Sequence, residues 1–302
     1  MTKSKIEWTD RSWKLVKIVD GVAKLDEGQL TKPLQWRKPQ RCFVGDLFAA
    51  GLTDTDIDKV FAVMALAPHI TFQVLTKRPK RMLEYFTLLP DIIEDIADVA
   101  GKIMDQGDAA YSTVMQIGNK PLPNLWLGVS VHDQASADEF IPLLLETPAA
   151  LRFVSYEPAL GPVDWTQSVY RGSGGISMRG YLDDAAKPDD FYYWSPKIDW
   201  IIAGGESGPN ARPPHPDWFR QTRDQCAEAG TPFFFKQWGE WATVETKKPK
   251  DATSNEAYAA AVSNKTHIFD DDQMMVRVGK SGAGNQLDGR THQAFPDLIE
   301  GN

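Results

Sequence analysis

Read for its hydrophobic and polar positions, the chain switches repeatedly between a period of two and a period near 3.6. Six runs rich in β-branched and aromatic residues, each bounded by glycine, proline or polar residues, predict strands. They are RCFVGDLF (41–48), TFQVLTKR (71–78), LWLGVSV (125–131), RFVSYEP (152–158), WIIAGGE (200–206) and PFFFKQW (232–238). Between most of them the apolar residues recur at helical spacing. Residues 55–67 put Ile57, Val60, Phe61 and Met64 on one face, with Thr53 or Thr55 as the cap. Residues 89–104 and 135–146 predict two more helices, the second interrupted by Pro142. Residues 217–229 predict the clearest one, with Asp217 as N-cap or first-turn anion and Gly230 at the C′ position.

Such alternation implies parallel strands joined by right-handed crossovers. All six apolar runs end in polar groups: Asp46, Thr76-Lys77-Arg78, Ser130, Glu157, Glu206-Ser207 and Lys236-Gln237. Functional groups offered by several strands at one mouth are the mark of a barrel, whereas an open sheet gathers them near one switch point. The expected fold is therefore α/β, a partial barrel of about six parallel strands over residues 1–240, with a glycine-rich, aromatic insertion or lid at 166–197. Residues 241–302 read as a small C-terminal appendage, in which QMMVRVGKSGAGNQLDG predicts a strand and a glycine-rich turn.

Composition narrows the classes. With 302 residues, 42% hydrophobic and 25% charged, the chain is neither disordered nor fibrous. Cys42 and Cys226 are too few for a disulfide framework, and no CxxC or Cys/His run is present to hold zinc or an iron–sulfur cluster. The five histidines show no HxH or HExxH spacing, so no metal site is expected. The N-terminus lacks an apolar signal-like region and no run of ~18 apolar residues occurs, which points to a cytoplasmic protein with no membrane partner. A net charge of −8 opposes a general nucleic-acid surface and leaves nucleic acid as a partner only through local basic patches.

Four places carry candidate chemistry. In GGESGPNARPPHPDW (204–218), Gly204 and Gly205 let backbone approach a ligand, while Glu206 and Arg212 can read a hydroxyl, amine or carboxylate. The same glycines also suit a tight turn, and the spacing matches neither a Walker loop nor a dinucleotide fingerprint. Lys77 and Arg78, ahead of a helix that begins near Pro79, suit a phosphate or carboxylate; Lys80 and Arg81 read as a solvated basic turn. Trp36-Arg37-Lys38-Pro39 is a second basic and aromatic cluster, able to stack on a base or to anchor an edge. Finally, Phe153, Ser155 and Glu157 share a strand face, and a carboxylate at an inner mouth needs a partner: Lys236, Lys77 or Arg78. Such a pair is catalytic or structural. Cys42 reads as strand filler and Cys226 as a core position of its helix.

Taken together, IEWTD–W, PLQWRKPQR, FVGDLF, TFQVLTKRP, LPNLWLGVSV, LRFVSYEPALGPVDW, IDWIIAGGESGPNARP, DWFRQTRDQC, PFFFKQWGEW and VRVGKSGAGNQLDGR resemble the phage gene-product thirty-seven/sixty-eight family over nearly the whole chain. That resemblance implies a radical-SAM-like partial barrel. It also implies a three-cysteine motif shortly after the IEWTD–W segment, and there the sequence departs: after Trp13 the chain runs through KLVKIVDGVAKLDEGQL directly to Pro33. A radical enzyme needs three thiolates for its [4Fe–4S] cluster, and two cysteines cannot supply them. No cluster is expected, while S-adenosylmethionine remains a possible cofactor without iron.

Three functions follow. The first is a cluster-less relative that binds a nucleotide, nucleic acid or S-adenosylmethionine-like anionic ligand at the barrel mouth. Its pocket would use Asp46, Lys77, Arg78, Ser130, Gly204 and Gly205, with Glu206, Ser207, Arg212 and Gln237. If chemistry occurs, Glu157 and Lys236 are the acid/base pair. The second is a non-catalytic phage interaction or counter-defence protein that uses the aromatic run at 191–194. The third is a metal-independent lyase or hydrolase acting on a small anionic metabolite.

Overall fold

The structure is a computed structural model that describes residues 11–45, 47–104, 107–118, 120–166, 182, 197–243 and 265–296. Its main sheet has seven parallel strands: β1 (Arg11–Ser12), β4 (Gln40–Gly45), β5 (Ile70–Thr76), β6 (Leu125–Ser130), β7 (Leu151–Tyr156), β8 (Trp200–Gly204) and β9 (Phe233–Gln237), hydrogen-bonded in that order. All six expected strands are there. The seventh, β1, comprises Arg11 and Ser12 among the described residues, pairing Arg11 with Cys42 and Ser12 with Phe43; two residues offer no alternation to read. Among the described residues the strand order ends at β1 and β9 without closing into a ring, and β9 is flanked by one antiparallel bridge, Phe234 with Gln293.

By packing, the chain divides into two units, the first comprising Met1–Ser130 and Phe140–Phe153 with the extreme C-terminus, the second Val131–Glu139 and Val154–Pro296. Strand β7 is shared, its first half in one unit and its second half in the other.

In the first unit, α2 (Asp54–Leu66) begins where the threonine pattern expects it. Thr53 Oγ1 accepts from Asp56 N and the Asp56 carboxylate accepts from Thr53 N, a capping box worth about 1 kcal/mol. Ile57, Val60, Phe61 and Met64 are buried on one face. Helix α3 runs Pro79–Ile103, ten residues earlier than the apolar spacing alone suggests, because Pro79 occupies the first turn, where its missing N–H costs nothing. Pro90 is carried inside this helix. α4 (Gly107–Met115) packs beside it. Between β1 and β4 lie an antiparallel ribbon, β2 (Val16–Val19) with β3 (Val22–Leu25), and the one-turn helix α1 (Glu27–Leu30), neither marked by a long apolar pattern.

Helix α5 (Gln134–Glu146) follows β6 and continues through Pro142. In the second unit, α6 (Pro216–Ala229) ends on Gly230 at φ 68°, as the sequence pattern predicts. Its cap is His215, whose ring Nδ1 accepts from Asp217 N, and Asp217 takes the second of its two expected roles as the first-turn anion. Phe219 of α6 packs on Phe235 and Trp238, and Tyr156 packs edge-on against Trp165 and Phe219, so an aromatic core backs the ends of β7 and β9. A three-stranded antiparallel sheet completes the unit, with β12 (Met274–Arg277) between β10 (Trp241–Thr243) and β11 (Thr266–Ile268), followed by α7 (Lys280–Ala283). Of the insertion read at 166–197, only Thr166, Leu182 and Lys197 fall within the described residues; the aromatic run at 191–194 and the Ala-rich stretch at 256–262 lie outside them. Among the described residues no helix is long and apolar enough to cross a membrane.

Candidate functional site

The second unit gathers most of the residues that the sequence singles out. Glu157 sits one residue past β7, after Tyr156, whose buried ring donates its hydroxyl to Gly161 O and so fixes the turn. Lys236 Nζ lies 2.8 Å from Glu157 Oε2, and Gln237 Nε2 donates to Glu157 Oε1 at 3.0 Å. Of the three partners open to Glu157 in the sequence, the structure selects Lys236. Gln237 Nε2 also reaches Ser207 Oγ at 3.2 Å, so β7, β9 and the loop after β8 are tied through one amide.

Two successive residues of a regular strand point to opposite faces, yet Lys236 and Gln237 both reach the same carboxylate. A bulge makes this possible. Ala203 pairs with Phe235, but Gly204 pairs with Gln237, leaving Lys236 as the extra residue that bends the end of β9. The Lys236 and Glu157 side chains keep 28% and 17% of their surface exposed, so the pair is half-withdrawn from water yet reachable by a solute.

The glycines have separate reasons. A Cβ on Gly204 would come within 3.2 Å of Glu157 Oε1, so its hydrogen makes room for the carboxylate. A Cβ on Gly205 would lie 2.0 Å from Trp238 O; the close approach there is between two backbone segments of the protein. Gly205 N donates to Gln237 O at 2.9 Å across the same approach.

Past the glycines, Arg212 grips Glu206 through two side-chain bonds, Nε to Oε2 at 2.8 Å and Nη2 to Oε1 at 2.9 Å, while Arg212 N donates to Oε2. These hydrogen bonds from Arg212 hold the Glu206 carboxyl down at about 2, against the smaller upward push of burial. The loop is fixed from outside as well. Gly208, at φ 110°, donates its N–H to Glu240 Oε1 at 3.1 Å and accepts from Arg277 Nη2 at 2.7 Å. Glu240 and Arg277 escape sequence reasoning, since they lie 32 and 69 residues from the glycine they hold. His132 is also missed. Its Nδ1 is 3.2 Å from Pro158 O, which as a carbonyl can only accept, so that nitrogen carries the ring proton in the neutral form, and the charged ring would help lower Glu206. A histidine two residues past the end of β6 is the signal that was available.

The remaining predicted residues belong to the first unit or lie outside the described residues. Lys77 and Arg78 are exposed at the end of β5 in the first unit, where Arg78 N donates to Thr76 Oγ1. Ser130 is buried at the end of β6, and Asp46 lies outside the described residues. Arg81, read as solvated, instead turns back to the carbonyls of Phe48, Ala49 and Leu52 and to Asp54.

Two sets of donors bear on metals and clusters. Cys42 on β4 and Cys226 on α6 are both fully buried, and burial pushes each thiol up to about 12. Neither is suited to thiolate ligation, and two do not fit a cluster that needs three. Among the described residues, His215, Asp217 and Asp271 bring ligand atoms within 4.8 Å of one another. His215 Nδ1, however, accepts from Asp217 N, which leaves the proton on Nε2, where Asp271 takes it at 3.0 Å. A metal-bound histidine donates from its other nitrogen; here that nitrogen accepts, as a helix cap does.

The fold and site thus define a mixed α/β protein with a parallel sheet and a paired-charge polar site at its strand ends. The chain belongs to the family described as protein of unknown function (DUF5131), whose model matches residues 3–296. No curated protein and no solved structure matches it.

Proposed function

We propose that the strand-end site of the second unit binds a small ligand of the nucleotide or S-adenosylmethionine class, and that the protein is a radical-SAM-like barrel of the phage type that works without an iron–sulfur cluster. The observation that carries the reading is the Glu157–Lys236–Gln237–Ser207 network: a paired charge, half-exposed, placed by a bulge and given room by a glycine. A strand-end bulge that turns two polar side chains onto one carboxylate is a device for re-aiming functional groups, and bulges concentrate next to active sites.

The charge pattern refines the ligand. Both cations of the site already face carboxylates, Lys236 with Glu157 and Arg212 with Glu206. A bare anion would compete with these for its partners. A ligand carrying both donors and an anionic group, such as an amino-carboxylate or a ribose phosphate, can satisfy both members of each pair. In that complex Lys236 meets the anion, Glu157 and Gln237 meet hydroxyls or an ammonium, and any proton moved to or from the ligand passes through Glu157 or Lys236 as the acid/base pair.

Isothermal titration of the full chain with S-adenosylmethionine, nucleotides and short oligonucleotides tests this. One of the first two is expected to bind at one site per chain, with affinity falling at least about tenfold in Glu157→Gln and in Lys236→Met. Absence of binding by all titrants, or equal binding by the wild type and both variants, overturns the reading.

A further inference from the structure

The N-terminal segment of the first unit has a charge balance opposite to that of the chain as a whole. Residues 11–41 hold eight Lys or Arg against three Asp or Glu, whereas the whole chain has 33 against 41. All of these cations are exposed except Arg41, which is half-buried.

Their arrangement is specific at both ends of the segment. In the β2–β3 ribbon, the register places Lys17 directly opposite Lys24. Like charges across a ladder are destabilising, and a lone two-stranded ribbon has little stability to spare. Asp26, 3.5 Å from Lys17, offsets one of the two charges. The lysine pair shares its face with the Val19–Val22 pair, and Val22 is 46% exposed; Ile18, on the other face, is 69% exposed. The ribbon therefore offers cations and aliphatic side chains to solvent together.

It is nonetheless held firmly. Asp20 and Gly21 both have positive φ, as a type I′ turn requires. A Cβ on Gly51 would lie 2.2 Å from Ala23 O, so β3 rests directly on the backbone after β4, and Lys59 reaches Glu27 at 2.6 Å just beyond the ribbon. At the other end, the Arg11 guanidinium lies 4.5 Å from the centre of the Trp36 ring, and Arg37 and Lys38 follow, both exposed. Cations set around an aromatic platform and along an extended ribbon suit an extended polyanion, because phosphates at regular intervals can meet charges that do not converge on one point.

We infer that residues 11–41 form a docking surface for the phosphodiester backbone of a nucleic acid, with the β2–β3 ribbon as its protruding contact and the Arg11–Trp36 stack as its second anchor. This surface stands apart from the ligand reading of the second unit, and either can fail without the other.

Fluorescence anisotropy of labelled single-stranded and duplex oligonucleotides with the full chain, at several salt concentrations, tests it. The wild type is expected to bind at low salt with an affinity that falls as salt rises. The double variant Lys17→Glu with Lys24→Glu should bind at least about tenfold more weakly, and its log–log salt slope should be smaller by about 2. Arg37→Glu with Lys38→Glu should act likewise. Lys80→Glu with Lys102→Glu changes net charge equally on α3 and should leave binding unchanged. A melting temperature like that of the wild type shows that each variant is folded. Absence of binding by the wild type, or equal weakening by the α3 variant, overturns the inference.

Discussion

The end of β5 and the ends of β7, β8 and β9 present similar side chains with opposite habits. After β5, four cations stand within five residues. Lys77 is exposed, Lys80 is 4.0 Å from Glu84, and Arg81 is committed to loop carbonyls. After β7 to β9 the cations are sparse, but Lys236 and Arg212 each meet a carboxylate at 2.8 Å, from partners 79 and 6 residues away. Density of charge along the chain is thus a poor guide to a site. Convergence of charge from separate strand ends is the better one, and it arises from register and bulges rather than from composition.

The contrast can be broken most severely at Gly205. Gly205→Ala puts a methyl carbon against Trp238 O, backbone against backbone, and neither side can yield by a rotamer change. A loss of about 3 kcal/mol is expected in urea unfolding, with collapse of any ligand affinity of the second unit.

A middle-sized effect separates the two readings of the basic turn after β5. Arg81→Ala removes a charged donor from the carbonyls of Ala49 and Leu52 and from Asp54, and should cost about 2 kcal/mol. Lys80→Ala, one residue away and wholly exposed in character, should stay within about 0.5 kcal/mol. Equal effects would mean that Arg81 is solvated after all.

The smallest effect is a pH dependence. Glu206 has its folded value lowered from 4.5 to about 2, so its pairing with Arg212 contributes stability that is full above pH 4.5. That contribution is lost as pH falls from 4.5 towards 2. Arg212 is largely exposed, so salt should diminish the effect. In Arg212→Gln the acid-side loss should flatten in a pH series of denaturant melts; an unchanged slope would assign it to other carboxylates.

Much of this architecture is legible from local pattern. The six longer strands, the Thr53 cap and the Gly230 stop all follow from residues within a few positions of one another. What local pattern misses has physical causes. The described part of β1 is too short to show alternation, and α3 runs past Pro90 because tertiary packing of Tyr85, Phe86, Leu89 and Ile93 outweighs one lost hydrogen bond. Polar strand ends point to Glu157, Lys236 and Gln237, but which carboxylate meets which cation depends on a register shift that no single run of residues displays. Metal spacing says nothing of His215 as a cap, a role that depends on ring tautomer and on Asp271, 56 residues on.

The grip on Gly208 also sets a timetable. Arg277 lies 69 residues after the glycine it holds, and Glu240 lies 32 after it. As the chain emerges during synthesis, the strands β7 to β9 can pair before either hand of that grip is complete, since loop closure over a long separation must be met before its bonds form. Only when β12 has been made does Arg277 join Glu240 and Gln237 in holding the loop that carries Glu206, Ser207 and Arg212. A nascent chain stalled short of Arg277 would carry the sheet while its strand-end site was still unfinished.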